Sequence, residues 1–238
     1  MHRRRFRLTI TQSCPTYTRL LRGTLSHRQT YRRASGVICR SGSARPMWPR
    51  EAAPDAFPYD LAIVGGDGWQ CYIADPSQAL PRVLHFWTCL CAKGLRSRFA
   101  VAVDTVDFVS DENLSESDGA AFRQSGRALD TLDDDCWAVC VLPKSESITS
   151  SLAVKSLFEL MDLLLHEWTE AQARAVAGML RGVGTERSVT QQAVADGWSP
   201  EPITRQSVNR HLQRANWSRV ERTASTFRQL IDVIADDT

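Results

Sequence analysis

Apolar positions along the chain change character near residue 56. Residues 1–55 hold scattered apolar side chains among Arg, Ser and Thr, with no sustained period. From there the pattern becomes regular. YDLAIV over residues 59–64 and WQCYIA over 69–74 flank Gly65-Gly66-Asp67-Gly68. Strand, tight turn, strand is expected, because glycine adopts turn angles at no steric cost. Pro76 and Ser77 then open a helix with Leu80, Val83, Leu84, Trp87 and Leu90 on one face, closed by Gly94. RFAVAVDTVDFV over 98–109 is a continuous β-rich run, the pattern of a well-buried strand. Residues 120–132 follow Ser117-Asp118-Gly119 as a helix carrying Phe122, Ala128 and Leu129, and CWAVCVL over 136–142 is a last strand. Hairpin, helix, strand, helix, strand predicts an α+β layer with helices on a mostly antiparallel sheet over residues 56–147.

After a polar linker over 144–151, the period becomes helical throughout residues 148–238. Val154, Leu157, Phe158, Met161, Leu164 and Leu165 mark a long helix from Ser151. Thr169 and Gln172 have capping-box spacing for the next one. Residues 188–217 read as two short helices around a turn. Thr190 caps Ala193, Val194 and Ala195; Gly197 and the Ser199-Pro200-Glu201-Pro202 run break the helix; Thr204 caps a second. Val208 and Leu212 are four apart and face inward, leaving polar and basic residues outside. This is the layout of a helix-turn-helix, whose second helix enters the DNA major groove. The turn is longer than the tightest such units have, which favours a winged or looser variant. Thr204, Arg205, Gln206, Asn209, Arg210 and Arg214 are the candidate DNA-contacting residues. Arg forks onto guanine or clamps phosphate, and Gln and Asn pair with adenine. The plainer alternative is a helical hairpin with a solvated outer face. A final helix is expected over 224–234.

Charge sharpens this division. Residues 1–50 carry +12 with no acid, residues 51–147 carry −9 and residues 148–238 carry −1. The C-terminal part is not basic overall, but six of its Arg lie between Arg205 and Arg228, so clustering matters more than the total. The Arg-rich first segment has three readings: a basic arm for nucleic acid, a transit peptide, or residues displaced by a wrong start or frame. Low periodicity with high polarity favours a disordered segment that does not join the fold. Seven Cys, an odd number, and no secretory pattern indicate a reducing, cytoplasmic compartment. The Cys spacings match no zinc site and read as buried small hydrophobes. His85 and His166 stand without an acidic or Cys partner at ligand spacing. Trp69, Trp87 and Trp137 are expected in the core. No run of eighteen apolar residues occurs, so no membrane span is expected.

Gly65, Gly66 and Asp67 are the candidate nucleotide or metal residues. A carboxylate at a hairpin tip can hold a divalent metal, and flanking glycines let a phosphate approach. Two-metal phosphoryl transfer needs a second carboxylate from an upstream strand, and nothing before Glu51 is acidic. Asp104 and Asp107 lie on the following strand and offer a different geometry. A turn role for Asp67 is the simpler expectation.

The hairpin IVGGDGWQ, the strand RFAVAVDTV and the segment SDGAAFRQSGRALDTL together resemble the SatD-like proteins of bacteria. The matching residues are Gly66, Asp67, Gln70, Ser117, Asp118, Gly119, Ala121, Phe122, Arg127, Ala128 and Leu129, with Ala215-Asn216-Trp217 as a trailing Ala-x-Trp. The resemblance spans residues 59–222 and extends distantly to the palms of GGDEF and nucleotide-cyclase domains. It implies a palm-like (ferredoxin-like) antiparallel sheet with helices on one face, followed by an all-α helix-turn-helix domain. Gly68 replaces an acid of the family tetrad, Asp104 stands where the family has Gly, and the family's opening strand is not found in residues 1–55.

The leading expectation is a bacterial-type, cytoplasmic DNA-binding transcription regulator. Its partner is double-stranded DNA, with a homodimer possible and no membrane partner. The degenerate palm serves as sensor or dimerisation module, and no cofactor is expected. Two alternatives stand beside it. One is a nucleotidyl cyclase or transferase using Asp67 and Mg, for which the carboxylate set is incomplete. The other is a protein-interaction module.

Overall fold

The apolar runs either side of the glycine turn do pair. In this computed structural model, which describes residues 7–11, 62–64, 68–143, 146–182 and 188–236, β2 (Ala62–Val64) and β3 (Gly68–Ile73) are antiparallel, with Val64 opposite Gly68. Gly65, Gly66 and Asp67 lie outside the described residues. The strand beside β3 comes from an unexpected place. β1 (Arg7–Thr11) lies antiparallel to β3 on one side and to β4 (Phe99–Asp104) on the other. The reading of residues 1–55 as outside the fold is thus corrected at RLTIT; the rest of that segment is not among the described residues. β5 (Ala138–Val141) runs parallel to β4 and completes a sheet of order β2-β3-β1-β4-β5. The mixed α+β class stands, and three of the four strand pairings are antiparallel.

The expectation of helices on one face does not hold, and strand parity shows why. Trp69, Cys71 and Ile73 of β3 share a core with Phe99, Val101 and Val103 of β4 and Ala138 and Cys140 of β5. Against them pack Leu80, Val83, Leu84 and Trp87 of α1 (Ala79–Cys91) and Val154, Phe158, Met161 and Leu165 of α3 (Ile148–Glu167). The opposite parity meets α2 (Ala120–Asp130), whose Phe122 clusters with Tyr72, Ala62 and Leu114. Both faces are covered, so all six residues of β4 are buried, and the unbroken apolar pattern of its first five, Phe99 to Val103, follows. Each large side chain hidden this way contributes about 1.5–3 kcal/mol.

β4 is shorter than its apolar run. It stops at Asp104, and the chain turns so that Phe108 bridges to Asp118. Gly119 follows, where the backbone passes so close that a Cβ would lie 2.6 Å from Val106 Cα. Asp118 Oδ1 accepts from the Gly119 amide at 2.7 Å and from Arg123 Nη1 at 2.6 Å. The Ser-Asp-Gly motif is a structural corner at the entrance to α2.

Two buried indoles are satisfied from one loop residue: Trp87 Nε1 donates to the Ser97 carbonyl at 2.7 Å and Trp69 Nε1 to Ser97 Oγ at 3.3 Å. Trp69 and Trp87 are buried as expected, and Trp137 is half-buried against the same cluster. The guanidinium of Arg96 lies over the Trp87 and Trp137 rings, and its Nη2 donates to the Trp168 carbonyl at 2.6 Å, just past the end of α3.

α3 begins at Ile148 rather than Ser151, because Ser147 accepts from the Ser150 amide as N-cap within the expected linker. α4 (Glu170–Leu180) starts with the expected Thr169–Gln172 capping box. α5 (Gln191–Asp196), α6 (Arg205–Arg214) and α7 (Trp217–Asp236) follow. α7 starts earlier than the expected residue 224: Asn216, at φ 56°, makes the one left-handed step between α6 and α7. The main core runs without interruption from the sheet through α3 and α4 into Val194, Val208, Leu212, Phe227 and Ile231.

Candidate nucleic-acid interface

α5 and α6 are specified by local chemistry. Thr190 Oγ1 accepts from the Ala193 amide at 3.1 Å, and Thr204 Oγ1 accepts from the Ser207 amide at 3.1 Å. Each cap satisfies an amide that a helix start leaves without a partner. On the inner side, Val208 and Leu212 of α6 are buried with Ala215, as their four-residue spacing requires. They rest against α4 and α5, and α4 is admitted close to α5 by Gly178, which faces Val194.

The outer side of α6 is open. Thr204, Arg205, Gln206, Arg210 and Arg214 are exposed, as is Gln213. Gln206, Arg210 and Gln213 follow one stripe, and Arg214 extends it by a turn. Among the described residues no ion pair involves Arg205, Arg210 or Arg214, so their charge faces solvent undiminished. Asn209 differs from the rest. It is half-buried, and its Oδ1 accepts from Gln191 Nε2 at 3.4 Å, which ties the start of α5 to the middle of α6. The Thr204 hydroxyl is committed to its cap and to Ser207 Oγ at 2.9 Å, while its side chain stays at the surface.

The turn over residues 197–204 is held by residues that the sequence reading did not single out. Trp198 stacks on His211 of α6, centroids 5.6 Å apart and planes 13° apart. Arg174 of α4 lies over the other ring system of this stack, 5.4 Å from Trp198. Its Nη1 donates to the Ser199 carbonyl, and its Nη2 donates to the Ala92 carbonyl at 3.1 Å. The Ile203 amide returns to the Ala195 carbonyl at 3.2 Å. Behind α6, buried Trp168 donates from Nε1 to the Ala215 carbonyl at 3.1 Å. Burial, with smaller contributions from Arg214 and Arg210, pushes the His211 pKa below its ordinary value, so the ring in the stack is neutral at neutral pH. A lone Arg among the small residues of α4 was the only sequence signal for this clamp.

The other candidates fall elsewhere. Asp67, Gly65 and Gly66 are outside the described residues. Asp104 is buried, accepting from the Thr105 amide at 2.6 Å and from Gln124. Asp107 pairs with Arg123 at 3.4 Å. His166 does have an acidic partner: its Nε2 lies 3.2 Å from Asp162 Oδ2 one turn earlier, and its ring packs on Trp137. Asp162 also accepts from the Trp137 amide, so this pair is a strut between α3 and β5. Cys71, Cys91 and Cys140 are buried and unpaired, and burial pushes the Cys71 thiol up to about 12. Among the described residues no cluster of His, Cys, Asp and Glu could hold a metal ion, and no helix is long and apolar enough to cross a membrane. No family model, curated protein or solved structure matches the chain.

Proposed function

We propose that the chain is a DNA-binding regulator in which α5 and α6 act as a helix-turn-helix and α6 enters the major groove. One observation carries this reading: α6 buries Val208 and Leu212 behind it and presents Arg205, Gln206, Arg210 and Arg214 outward, with no ion pair to a carboxylate among the described residues. Arg205, Gln206 and Asn209 read base edges, while Arg210 and Arg214 hold phosphates. The clamp of Arg174, Trp198 and His211 supports a preset angle between α5 and α6, as groove insertion needs. The sheet order, with the hairpin at one edge and β1 between β3 and β4, supports the palm-like reading and the likeness to SatD-like proteins. β1 carries no acid, so Asp67 gains no partner carboxylate from it, which favours a sensor or dimerisation role over nucleotidyl transfer. A two-fold dimer belongs to the same reading, supported by exposed Leu152, Leu160 and Leu163 on α3 and Val233 on α7.

Selection from a randomised duplex pool, followed by fluorescence anisotropy, tests this. Arg205→Ala and Gln206→Ala are each expected to weaken the selected site by about 1–3 kcal/mol and relax its sequence preference. Arg210→Ala and Arg214→Ala are expected to weaken all duplexes alike, and each lowers the slope of log affinity on log salt by about 0.9. Failure to enrich any duplex, or affinities insensitive to salt and to all four changes, overturns the reading.

A further inference from the structure

Arg228 of α7 bonds to Gln78, one helical turn before Arg82 of α1, and among the described residues neither guanidinium has an ion-pair partner. Arg82, in the first turns of α1, is only 3% exposed. Among the described residues its Nε is buried without a hydrogen-bond partner and no ion pair involves it. Arg228 reaches in from α7. Its Nη2 donates to Gln78 Oε1 at 3.3 Å, and its Nε too is buried without a partner. A desolvated cation with unused donors is costly, and native structures rarely leave one so. Burial, and next the charge of Arg228, lower the Arg82 pKa. Asp75 acts in the opposite direction and supplies one negative charge against the two guanidinium groups; its Oδ1 accepts from the Ser77 amide at 2.9 Å and from Ser77 Oγ at 2.7 Å, capping the 3-10 turn over Pro76–Gln78. Farther along α1, His85 is held neutral by burial, with its pKa at about 4, and Arg181 adds positive charge nearby. The local balance is therefore positive, and Gln78 contributes no charge to offset it.

We propose that Arg82 and Arg228, with Gln78 beside them, form a binding site for a phosphate group of a small ligand. Each guanidinium presents a planar fork of donors that fits oxyanions, and two of them match a phosphate monoester, which carries about −1.5 to −2 at neutral pH. A single carboxylate leaves one cation uncompensated. The site joins the start of α1 to α7, elements separated by 150 positions in the chain at the Gln78–Arg228 bond. It does not depend on the DNA reading, since its ligand binds the protein alone.

The test is thermal unfolding and isothermal titration of the full chain without DNA, at constant ionic strength. Inorganic phosphate and adenosine monophosphate are the probes, with chloride and acetate as controls. The expected result is a saturable rise in Tm with phosphate, with the nucleotide, or with both, and none with the controls. Response to inorganic phosphate identifies free phosphate as sufficient; response to the nucleotide alone places the phosphate on a larger ligand. Arg228→Gln, a half-buried change, is expected to weaken binding by about tenfold or more. Arg82→Met fills the same volume without charge and is expected to bind no phosphate while unfolding at an equal or higher temperature. No saturable phosphate response in the parent chain, a response matched by acetate, or undiminished affinity in Arg228→Gln overturns the proposal.

Discussion

Gly178 and Val194 set the distance between α4 and α5: a Cβ at position 178 would lie 2.7 Å from Val194 Cγ1 and 2.8 Å from Cγ2. Val is branched at Cβ and stiff in χ1, so it has little room to give. Gly178→Ala gains up to about 1 kcal/mol of helix propensity but loses more to overpacking, which costs about 1–3 kcal/mol. The expected outcome is a net destabilisation in urea unfolding, relieved when Val194→Ala is added. A stabilised Gly178→Ala chain would show that the helices can separate freely.

Thr204 begins α6 by closing one of its free amides. Thr204→Ala is expected to cost about 1 kcal/mol, and Thr204→Asn or Thr204→Ser to restore most of it. Thermal melts followed by circular dichroism check the ranking. Equal melting of the Ala and Ser variants would mean that the cap contributes nothing.

Asn209 and Gln191 make the bond that links the two short helices across the outer surface. A double-mutant cycle with Gln191→Ala and Asn209→Ala separates its structural share from any base contact. The stability coupling is expected to be small, about 0.5–1.5 kcal/mol, as for a neutral hydrogen bond. On duplex binding, Asn209→Ala is expected to be the more damaging change. Equal losses on binding would assign Asn209 to structure alone.

His85 gives the chain an acid-sensitive point. Burial, then Arg181 and Arg82, hold its pKa at about 4, below the ordinary 6.5. Above pH 6.5 both folded and unfolded forms are neutral there. As pH falls, the unfolded chain takes the proton first, so stability is lost between about 6.5 and 4, amounting to about 3 kcal/mol in full. The lowered pKa of His211 acts in the same direction. His85→Gln is expected to flatten the fall of Tm between pH 7 and 4; an unchanged profile would assign that slope to other groups.

Gly119 stands where the Ser-Asp-Gly corner brings two backbone segments together, with Val106 Cα and the Asp107 amide nitrogen 2.6 and 2.7 Å from a hypothetical Cβ. The neighbours are backbone and cannot rotate away. Gly119→Ala is expected to destabilise by about 2–4 kcal/mol, seen as a lower urea midpoint. A variant with parental stability would mean that the corner can open.

What the chain determines by itself is what neighbouring residues decide together. The hairpin around the glycines, the Thr169–Gln172 box and the Thr190 and Thr204 caps all follow from residues within a few positions of each other. So does the inward pair Val208 and Leu212, and the exposed side of α6 follows from it. The unbroken apolar run of β4 signalled burial on both faces, and the one-sided layer expected from element order conflicted with it. The His166–Asp162 pair was also within local reach, at one helical turn. Tertiary structure alone decided the rest. RLTIT has too few apolar residues, amid too many Arg, to announce a strand, and it becomes one because β3 and β4 offer it hydrogen-bonding edges on both sides. Arg174 reaches Trp198, and Arg228 reaches Gln78, only after distant segments have packed. Pairings across such separations are set by the free energy of burying the shared core, which no window of sequence contains.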